Sequence, residues 1–325
     1  MSFANDYLNG FYSDAESFDK TKSDREDIIC KDIADWSEEW FKSILPENNK
    51  LSLKFPKWDA EFKGKLRSKL VPIIGYGGTK KSLLAQNIVY DNITRGLGTC
   101  LYSTMEMGAS TVIDRLIDMH VEPNSLEYNP HQELEYHHNI TRKINAKDFY
   151  DSSFSPAFKG NFFITQNTSL ITESYDKLIS NFNEKNKKID ILVVDGISGM
   201  GGNGSETELY SSHSKELKDL ANRWNILVLL ICHVSKGGKK TDRDLSKLVR
   251  SSEKIIDNCD FYISASLFEE GEEKYNPNYG ALRLVNKRGT GNTIDVVYDF
   301  YKQRLLMEQS DLDLSDFEHN KIAGL

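Results

Sequence analysis

The sequence predicts an α/β fold in which a mostly parallel central sheet is flanked by helices and ends in an antiparallel hairpin. The first observation is that short apolar runs, typical of buried strands, alternate with stretches of helical spacing. The second is a glycine-rich segment that follows one predicted strand and opens a predicted helix. The third is a final pair of strand-like runs joined by a glycine-containing turn.

These elements follow one another along the chain in regular order. The predicted strands are Val71–Ile74, Cys100–Ser103, Phe162–Thr165, Ile189–Val194, Ile226–Cys232 and Phe261–Ala265. The predicted helices are Lys81–Thr94, Ser110–Met119, Ser169–Asn181 and Ser211–Trp224, and the predicted hairpin joins Ala281–Val285 to Thr293–Tyr298. Since parallel strands end at the same edge of a sheet, polar residues that follow them are expected to converge there.

The segments on either side of this α/β domain, predicted over residues 51–307, have a different character. Residues 1–22 are polar and patternless, which indicates a flexible N-terminus. Residues 23–50 begin with a capping box and carry apolar residues at helical spacing, which predicts a single helix. Its apolar stripe would pack either on its own domain or on a neighbouring subunit. Residues 308–325 form a predicted acidic C-terminal tail.

Composition excludes several classes of protein. Across the 325 residues, no apolar stretch is long enough to span a membrane, and the N-terminus lacks an apolar signal core, so we expect an intracellular protein. A net charge of −8 argues against a surface coated with basic residues for nucleic acid, although a local basic site is compatible with it. The cysteines lack zinc-site spacing and are expected to be buried reduced thiols; they are Cys30, Cys100, Cys232 and Cys259.

The glycine-rich segment has the strand-to-helix context of a phosphate-binding P-loop. Its small residues let the backbone curl so that N–H groups point at phosphate oxygens, and the helix adds its positive end. Lys81 would reach the β- and γ-phosphates of a nucleoside triphosphate, and the Ser82 hydroxyl would hold Mg²⁺. The alternative is a glycine-rich loop with a chance Lys-Ser. The predicted nucleotide-binding residues here are Gly75, Gly77, Gly78, Thr79, Lys80, Lys81, Ser82 and Leu83.

Lys80 departs from the P-loop pattern, which has a glycine immediately before the lysine. A side chain at this position would crowd the curl of the backbone or force an unfavourable φ angle. Gly77 and Gly78 supply some of the lost freedom. Phosphate binding is therefore predicted, whereas the rate of hydrolysis is left open by this residue.

Three later strands end in polar side chains that suit a nucleotide site. Asp195 ends an apolar strand as in the Walker B arrangement, which delivers a carboxylate to the water shell of a metal ion. Glu106 would polarise the water that attacks the γ-phosphate, unless it is simply a solvated loop residue. His233 would hydrogen-bond to the γ-phosphate as a neutral imidazole, unless its role is structural.

Two loops follow the strands that end in Asp195 and His233. The first, Gly199–Gly204, is rich in glycine. The second is locally basic and would contact a nucleic-acid backbone, unless it is a solvated charged loop; its basic residues are Lys236, Lys239, Lys240 and Arg243. Two mobile loops beside nucleotide-site residues would couple the state of the nucleotide to a second ligand.

Taken together, these motifs resemble the RecA-like motor domain of ring-shaped replicative helicases, the DnaB family with its phage and mitochondrial members. The similarity covers roughly Leu51 to Met307, and the P-loop matches at Gly75, Lys81 and Ser82. The segment Ser103-Thr-Met-Glu106-Met is similar to the S-L-E-M signature of the family, which implies that Glu106 is the catalytic base. Asp195 matches the Walker B position and His233 the sensor position.

The resemblance also covers the C-terminal part of the domain. The segment Asn286-Lys287-Arg288-Gly-Thr-Gly291 resembles the K-x-R-x-x-x-G of the family, which implies that Arg288 is an arginine finger for the neighbouring subunit's nucleotide. Asn286 stands where the family has a lysine, and the adjacent Lys287 is the nucleotide-binding candidate instead. The helix predicted in residues 23–50 resembles the linker helix that packs on an adjacent subunit. The N-terminal helical or primase domain of the family is not recognised.

The resemblance implies a hexameric motor that uses ATP and Mg²⁺ to translocate on single-stranded DNA. The two loops would line a central pore, and an acidic exterior fits a ring whose positive potential is confined to that pore. One alternative is a non-hydrolysing or slow nucleotide-binding module that acts in assembly, which Lys80 motivates. Another is a RecA-like recombination or helicase-loading ATPase that does not unwind. Whether a primase or loader binds the N-terminal helix or the acidic tail stays open.

Overall fold

One twisted sheet with helices on both faces organises the part of the chain that the structure describes. The structure is a computed structural model, and it describes residues 51–62, 65–121, 150–166, 170–234, 250–267, 280–286, 293–294, 296–299 and 304–308. All of them belong to the unit Ile44–Leu325, the second of the two units into which the chain divides. The predicted segments 1–22 and 23–50 and the predicted tail beyond Glu308 lie outside the described residues.

The strands follow the predicted order. They are β1 Lys69–Gly75, β2 Cys100–Thr104, β3 Phe162–Thr165, β4 Ile191–Asp195, β5 Leu227–His233, β6 Phe261–Leu267, β7 Gly280–Asn286, β8 Thr293–Ile294, β9 Val296–Asp299 and β10 Arg304–Glu308. Among the described residues, eight strands form one sheet in the order β3-β2-β4-β5-β1-β6-β7-β8. Neighbours from β3 to β6 pair in parallel, and β7 and β8 add antiparallel pairs at the edge. This topology confirms the predicted α/β fold.

The predicted last strand, Thr293–Tyr298, is wrong as a single element. Only β8 pairs with β7, as the predicted hairpin requires, and the chain then departs from the large sheet. The rest of the run forms β9, which pairs with β10 in a separate antiparallel pair. The strand β10 was not predicted, because its short apolar run becomes a strand only through pairing with β9.

The described helices are α1 Pro56–Phe62, α2 Lys81–Thr94, α3 Ala109–Val121, α4 Ser155–Phe158, α5 Thr172–Glu184, α6 Glu206–Trp224 and α7 Arg250–Asp257. A π-helical turn, Tyr150–Phe154, precedes α4, and a 3₁₀ turn, Ile197–Gly199, follows β4. The helix α6 begins five residues before its predicted start at Ser211. The reason is a complete capping box, in which Ser205 and Glu208 satisfy each other's backbone N–H groups.

Alternate residues of each central strand pack on opposite faces of the sheet. In β1, Val71 and Ile73 face the layer of α1, α2 and α3, whereas Leu70 and Ile74 face the layer of α5, α6 and α7. Strands that are covered on both faces are expected to be apolar throughout, as β1, β4 and β5 are. The two helical layers therefore leave the strand ends as the place where polar side chains collect.

Two expectations from composition can be compared with the described residues. Cys100, Cys232 and Cys259 are buried free thiols, as predicted, and Cys30 lies outside the described residues. None of the helices in the described part of the chain combines the length and apolar character that crossing a lipid bilayer requires.

Candidate nucleotide site

The order of the strands brings the predicted site residues to one edge of the sheet. The strands β2, β4, β5 and β1 are neighbours in that order. Their pairing aligns Thr104 with Asp195 and Gly75 with His233. Because all four strands are parallel, their carboxyl ends meet at the same edge. The turn that carries Glu106 follows β2 at this edge, so the predicted residues converge as their positions after the strands require.

The loop between β1 and α2 is held by contacts that only a glycine allows at position 75. A Cβ atom on Gly75 would lie 2.5 Å from Thr79 Oγ1 and 2.6 Å from the carbonyl oxygen of Ala265 on β6. The Thr79 hydroxyl in turn donates to the Tyr76 carbonyl oxygen at 2.9 Å. Gly77 has open space around its Cβ position, and the Leu83 side chain packs in the hydrophobic core. The loop is thus a tight curl with its backbone toward the strand ends.

Lys80 adopts the left-handed conformation that glycine usually supplies in such a loop. Its φ is 64° and its ψ is 27°, and it is the N-cap residue of α2. The unfavourable φ expected from the sequence is therefore present, and it costs about 1–2 kcal/mol for a residue with a Cβ atom. The side chain of Lys80 is exposed, so it does not crowd the curl of the loop. The glycine-like backbone is retained in spite of the substitution.

Lys81 is a buried cation that forms no ion pair with a carboxylate in the described part of the chain. Its side chain is 3% exposed, and burial lowers its pKa to about 8 from its usual 10.5. Its Nζ donates to the Tyr76 carbonyl oxygen at 2.8 Å and lies 3.2 Å from His233 Nδ1. An ammonium group has three N–H donors, and among the described residues these two contacts use two of them. A buried cation with a spare donor suits an anionic ligand such as a phosphate.

The contact with Lys81 also assigns the protons of His233. An ammonium group can only donate, so Nδ1 of the imidazole accepts and Nε2 carries the hydrogen. That Nε2 donates to Glu106 Oε2 at 2.9 Å. The side chains of His233 and Glu106 are 40% and 37% exposed, so solvent reaches this pair. His233 thus joins the buried lysine to a carboxylate that water can approach.

Glu106 has the protonation state and the space that a base needs. The hydrogen bond from His233 is the main cause that lowers its pKa, which keeps the carboxylate ionised near neutral pH. A Cβ atom at Gly196 would lie 3.0 Å from Glu106 Oε1, and Gly196 itself has φ +113°. A larger residue after Asp195 would therefore be strained and would displace the carboxylate.

Asp195 is fully buried, and each of its carboxylate oxygens accepts one hydroxyl hydrogen bond. Ser82 Oγ donates to Oδ1 at 2.8 Å, and Tyr102 Oη donates to Oδ2 at 2.6 Å. Burial raises the pKa of Asp195, and the hydrogen bonds from Tyr102 and Ser82 counteract this rise. The charge of Arg115 on α3 acts in the same direction as these hydrogen bonds.

The oxygens of Ser82 and Asp195 form a pair that fits a magnesium ion bound together with phosphates. Hydroxyl and carboxylate oxygens are the hard ligands that Mg²⁺ prefers, and the ion is usually held by one or two protein groups plus phosphates and water. Within the described residues, no group of three or more His, Cys, Asp or Glu side chains could bind a metal without such help. The chemistry of the pair therefore agrees with the predicted ligands.

Several predicted site residues fall on parts of the chain that the structure does not describe. Lys287 and Arg288 lie outside the described residues, as do the basic residues Lys236, Lys239, Lys240 and Arg243. The glycine loop Gly199–Gly204 is described, and it follows β4 beside the site as expected.

Tyr102 is a residue of the site that sequence reasoning missed. It stands inside the apolar run of β2, and nothing in the run itself distinguishes its hydroxyl from that of any other buried tyrosine.

Comparison with known proteins adds a family to this geometry. Residues 51–309 match the family model of the DnaB-like helicase C-terminal domain. Among solved structures, one isolated ATPase domain is 16% identical with a TM-score of 0.64, covering 86% of this chain and 99% of that chain. A DnaB-like replicative helicase, described with its interactions with primase, is 15% identical with a TM-score of 0.62, covering 92% of this chain and 71% of that chain. No curated protein sequence matches.

The structural similarities and the family match carry different information. At identities this low, the two structures support the fold alone, and they confirm the predicted RecA-like architecture. The family match extends over well more than half of the chain, and it covers every strand described above. The chain therefore belongs to the family of DnaB-like helicase C-terminal domains, which are P-loop NTPase motors.

Proposed function

We propose that this chain is the motor of a hexameric ring that hydrolyses ATP with Mg²⁺ and translocates on single-stranded DNA. The observation that carries the proposal is the convergence of a buried lysine with a spare donor, a hydroxyl–carboxylate pair and an ionised glutamate at adjacent strand ends. Phosphoryl transfer needs mainly positioning and charge stabilisation, and these groups supply both.

Each group has a distinct part in the proposed reaction. Lys81 donates to the β- and γ-phosphate oxygens, and the N–H groups of the loop from Gly75 to Ser82 surround the phosphates. Magnesium, held by Ser82 with Asp195 nearby, supplies neutralisation of the charge on those oxygens. Glu106 orients the attacking water and accepts its proton. His233 links Glu106 to Lys81, so it responds to the γ-phosphate that Lys81 contacts.

The proposed arginine finger, Arg288, would serve the neighbouring subunit. Asn286, the last described residue of β7, pairs with Phe261 at the start of β6. Gly75 of the P-loop pairs with Ala265, four residues further along β6. At roughly 3.3 Å per strand residue, Asn286 lies about 13 Å from the level of the P-loop. Arg288 follows at this distant edge, which favours action on another subunit's nucleotide over action on its own.

Single-stranded DNA is expected to stimulate ATP turnover, and Arg288→Ala is expected to lower turnover about tenfold or more. Steady-state ATPase assays with and without DNA measure both effects. Nucleotide binding to the isolated Arg288→Ala subunit should remain, because the P-loop is intact. Absence of stimulation together with full activity of Arg288→Ala would contradict the proposal.

Mixing two inactive variants tests whether the site is shared between subunits. Lys81→Met supplies an intact finger, and Arg288→Ala supplies an intact P-loop, so a mixed ring contains some complete sites. Turnover is therefore expected to rise above that of either variant alone. If finger and P-loop belonged to the same subunit, mixing would restore nothing.

The loops proposed to contact DNA are Gly199–Gly204 and the basic segment that contains Lys236, Lys239, Lys240 and Arg243. Both follow strands that end at the nucleotide site, β4 and β5, so a change at the nucleotide would reach them directly. A primase or a loader is a further candidate partner, since one similar structure is that of a helicase described with its interactions with primase.

The main alternative is a slow or non-hydrolysing nucleotide-binding module, which the substitution at Lys80 favours. Lys80→Gly separates the two possibilities. Because Lys80 already has a φ of 64°, glycine would leave the curl unchanged, and we expect turnover to change by less than about threefold. Lys80→Ala, which keeps the Cβ atom and removes the charge, is the control. A gain of more than about tenfold in Lys80→Gly, equivalent to about 1.4 kcal/mol, would support the slow module instead.

A second alternative is a recombination or helicase-loading ATPase of the same fold. It would bind DNA and hydrolyse ATP without separating strands. A strand-displacement assay on a forked duplex distinguishes this alternative from the proposed motor.

A further inference from the structure

The hydroxyl of Tyr102 is a buried group whose polar contacts are directed at the nucleotide site. Tyr102 lies in the middle of β2 and is 0% exposed. Its Oη lies 2.6 Å from Asp195 Oδ2 on the neighbouring strand β4. A carboxylate can only accept, so the tyrosine donates. Its ring packs against Phe162 on the other side of β2, at a centroid distance of 6.1 Å.

A second contact fixes which way the hydroxyl hydrogen points. Gln86 Nε2 on α2 donates to Tyr102 Oη at 3.4 Å. The tyrosine oxygen therefore accepts from the glutamine, and its own hydrogen goes to Asp195. Since α2 also carries Lys81 and Ser82, the chain of contacts joins the P-loop helix, β2 and β4.

Asp195 is thereby held at both of its oxygens by groups from different elements. Ser82 on α2 donates to Oδ1, and Tyr102 on β2 donates to Oδ2. Two donors on opposite oxygens fix the rotation of the carboxylate plane about its bond to Cβ. The Ser82 hydroxyl can keep donating to Oδ1 while its lone pairs face a metal ion.

We propose that Tyr102 is a positioning residue for magnesium, which holds Asp195 Oδ2 so that Oδ1 stays aligned with the Ser82 hydroxyl. The inference rests on the proposed function, because it takes Ser82 and Asp195 as the magnesium site. Residues that orient metal-binding groups in this way commonly change metal affinity or activity by about 10–100-fold when they are replaced. A role in core packing alone would leave the dependence on magnesium unchanged.

Tyr102→Phe removes the hydroxyl and keeps the ring, and the chain offers a matched control. Tyr175 is equally buried, and its Oη lies 2.9 Å from Ser103 Oγ, the residue next to Tyr102 on β2. Tyr175→Phe therefore also removes one buried tyrosine hydroxyl bonded to a neighbouring element, but one without a contact to Asp195. Thermal unfolding of both variants shows whether either change unfolds the domain.

The test is equilibrium binding of a fluorescent ATP analogue to the full chain, in EDTA and across a magnesium titration. We expect Tyr102→Phe to bind the analogue in EDTA within about twofold of the wild type and to need about tenfold more magnesium for the metal-dependent gain in affinity. Tyr175→Phe should match the wild type in both conditions. In steady-state assays, the tenfold shift should appear in the magnesium concentration for half-maximal turnover, and KM for ATP at saturating magnesium should change little.

Each outcome separates the inference from the function on which it rests. A wild-type chain that shows no binding of the analogue with magnesium would remove the proposed function itself. Wild-type binding together with an unchanged magnesium titration in Tyr102→Phe would overturn the role of Tyr102 alone. Equal shifts in Tyr102→Phe and Tyr175→Phe would also overturn it, because they would indicate a general effect on the core.

Discussion

Lys81→Met is expected to abolish triphosphate binding and to reduce ATP turnover about 10³-fold or more. The lysine is buried and has no carboxylate partner among the described residues, so its charge is directed to a ligand rather than to an internal ion pair. Hydrogen bonds to charged groups contribute about 1.5–3 kcal/mol each. Losing two such bonds to phosphate oxygens lowers affinity by about 100-fold or more, at about 1.4 kcal/mol per factor of ten.

The same variant is expected to fold. Burial already disfavours the charged form of Lys81, as its lowered pKa of about 8 indicates, so methionine of similar length relieves that cost. The loss of the donors to Tyr76 and His233 acts in the opposite direction. We therefore expect the free energy of unfolding to fall by no more than about 1 kcal/mol.

Lys80→Met is the matched control for Lys81→Met. It removes the same charge from the adjacent, exposed residue of the same loop. Calorimetry or fluorescence titration with an ATP analogue should show affinity close to that of the wild type for Lys80→Met. Near wild-type affinity in Lys81→Met would contradict the assignment of the P-loop.

Glu106→Gln is expected to reduce turnover by about 10²–10⁴-fold and to leave nucleotide affinity within about threefold. The amide has nearly the shape of the carboxylate, but it cannot take a proton from the attacking water. The hydrogen bond from His233 Nε2 can still be accepted by the amide oxygen, so the local geometry should be retained. The change therefore removes the base and keeps the binding site.

Single-turnover hydrolysis and equilibrium binding together measure these two effects. Glu173→Gln, an exposed glutamate in the first turn of α5, provides a control for the charge change and should behave as the wild type does. Turnover above a tenth of the wild-type value in Glu106→Gln would show that another group activates the water. In that case Glu106 would be a solvated loop residue whose partner is His233.

The sequence was sufficient to predict the parts of the site that depend on local order. A strand followed by Gly75 and then by Lys81 and Ser82 defines the curl and the start of α2, because turn, helix and charge are all encoded within a few residues. The polar ends of β2, β4 and β5 could be predicted to share one edge, because parallel strands require it. The capping box that starts α6 was also present in the sequence, at Ser205 and Glu208, although it was overlooked.

Contacts that depend on the arrangement of the sheet could not be predicted in the same way. The order of β2, β4, β5 and β1 depends on how the helical connections cross the sheet, and no local pattern specifies it. Tyr102 meets Asp195 only because β2 and β4 are neighbours. The contact between Lys81 and His233 likewise requires β5 to lie beside β1.

The backbone of Lys80 has a consequence for how such domains are recognised. A search pattern that demands glycine before the lysine discards this chain, although the curl it is meant to detect is fully formed. A geometric criterion would retain it: a left-handed residue at the N-cap of a helix that opens with lysine and a hydroxyl residue, directly after a buried strand. Divergent motors that have exchanged this glycine for a longer side chain would be found by their dihedral angles rather than by their letters.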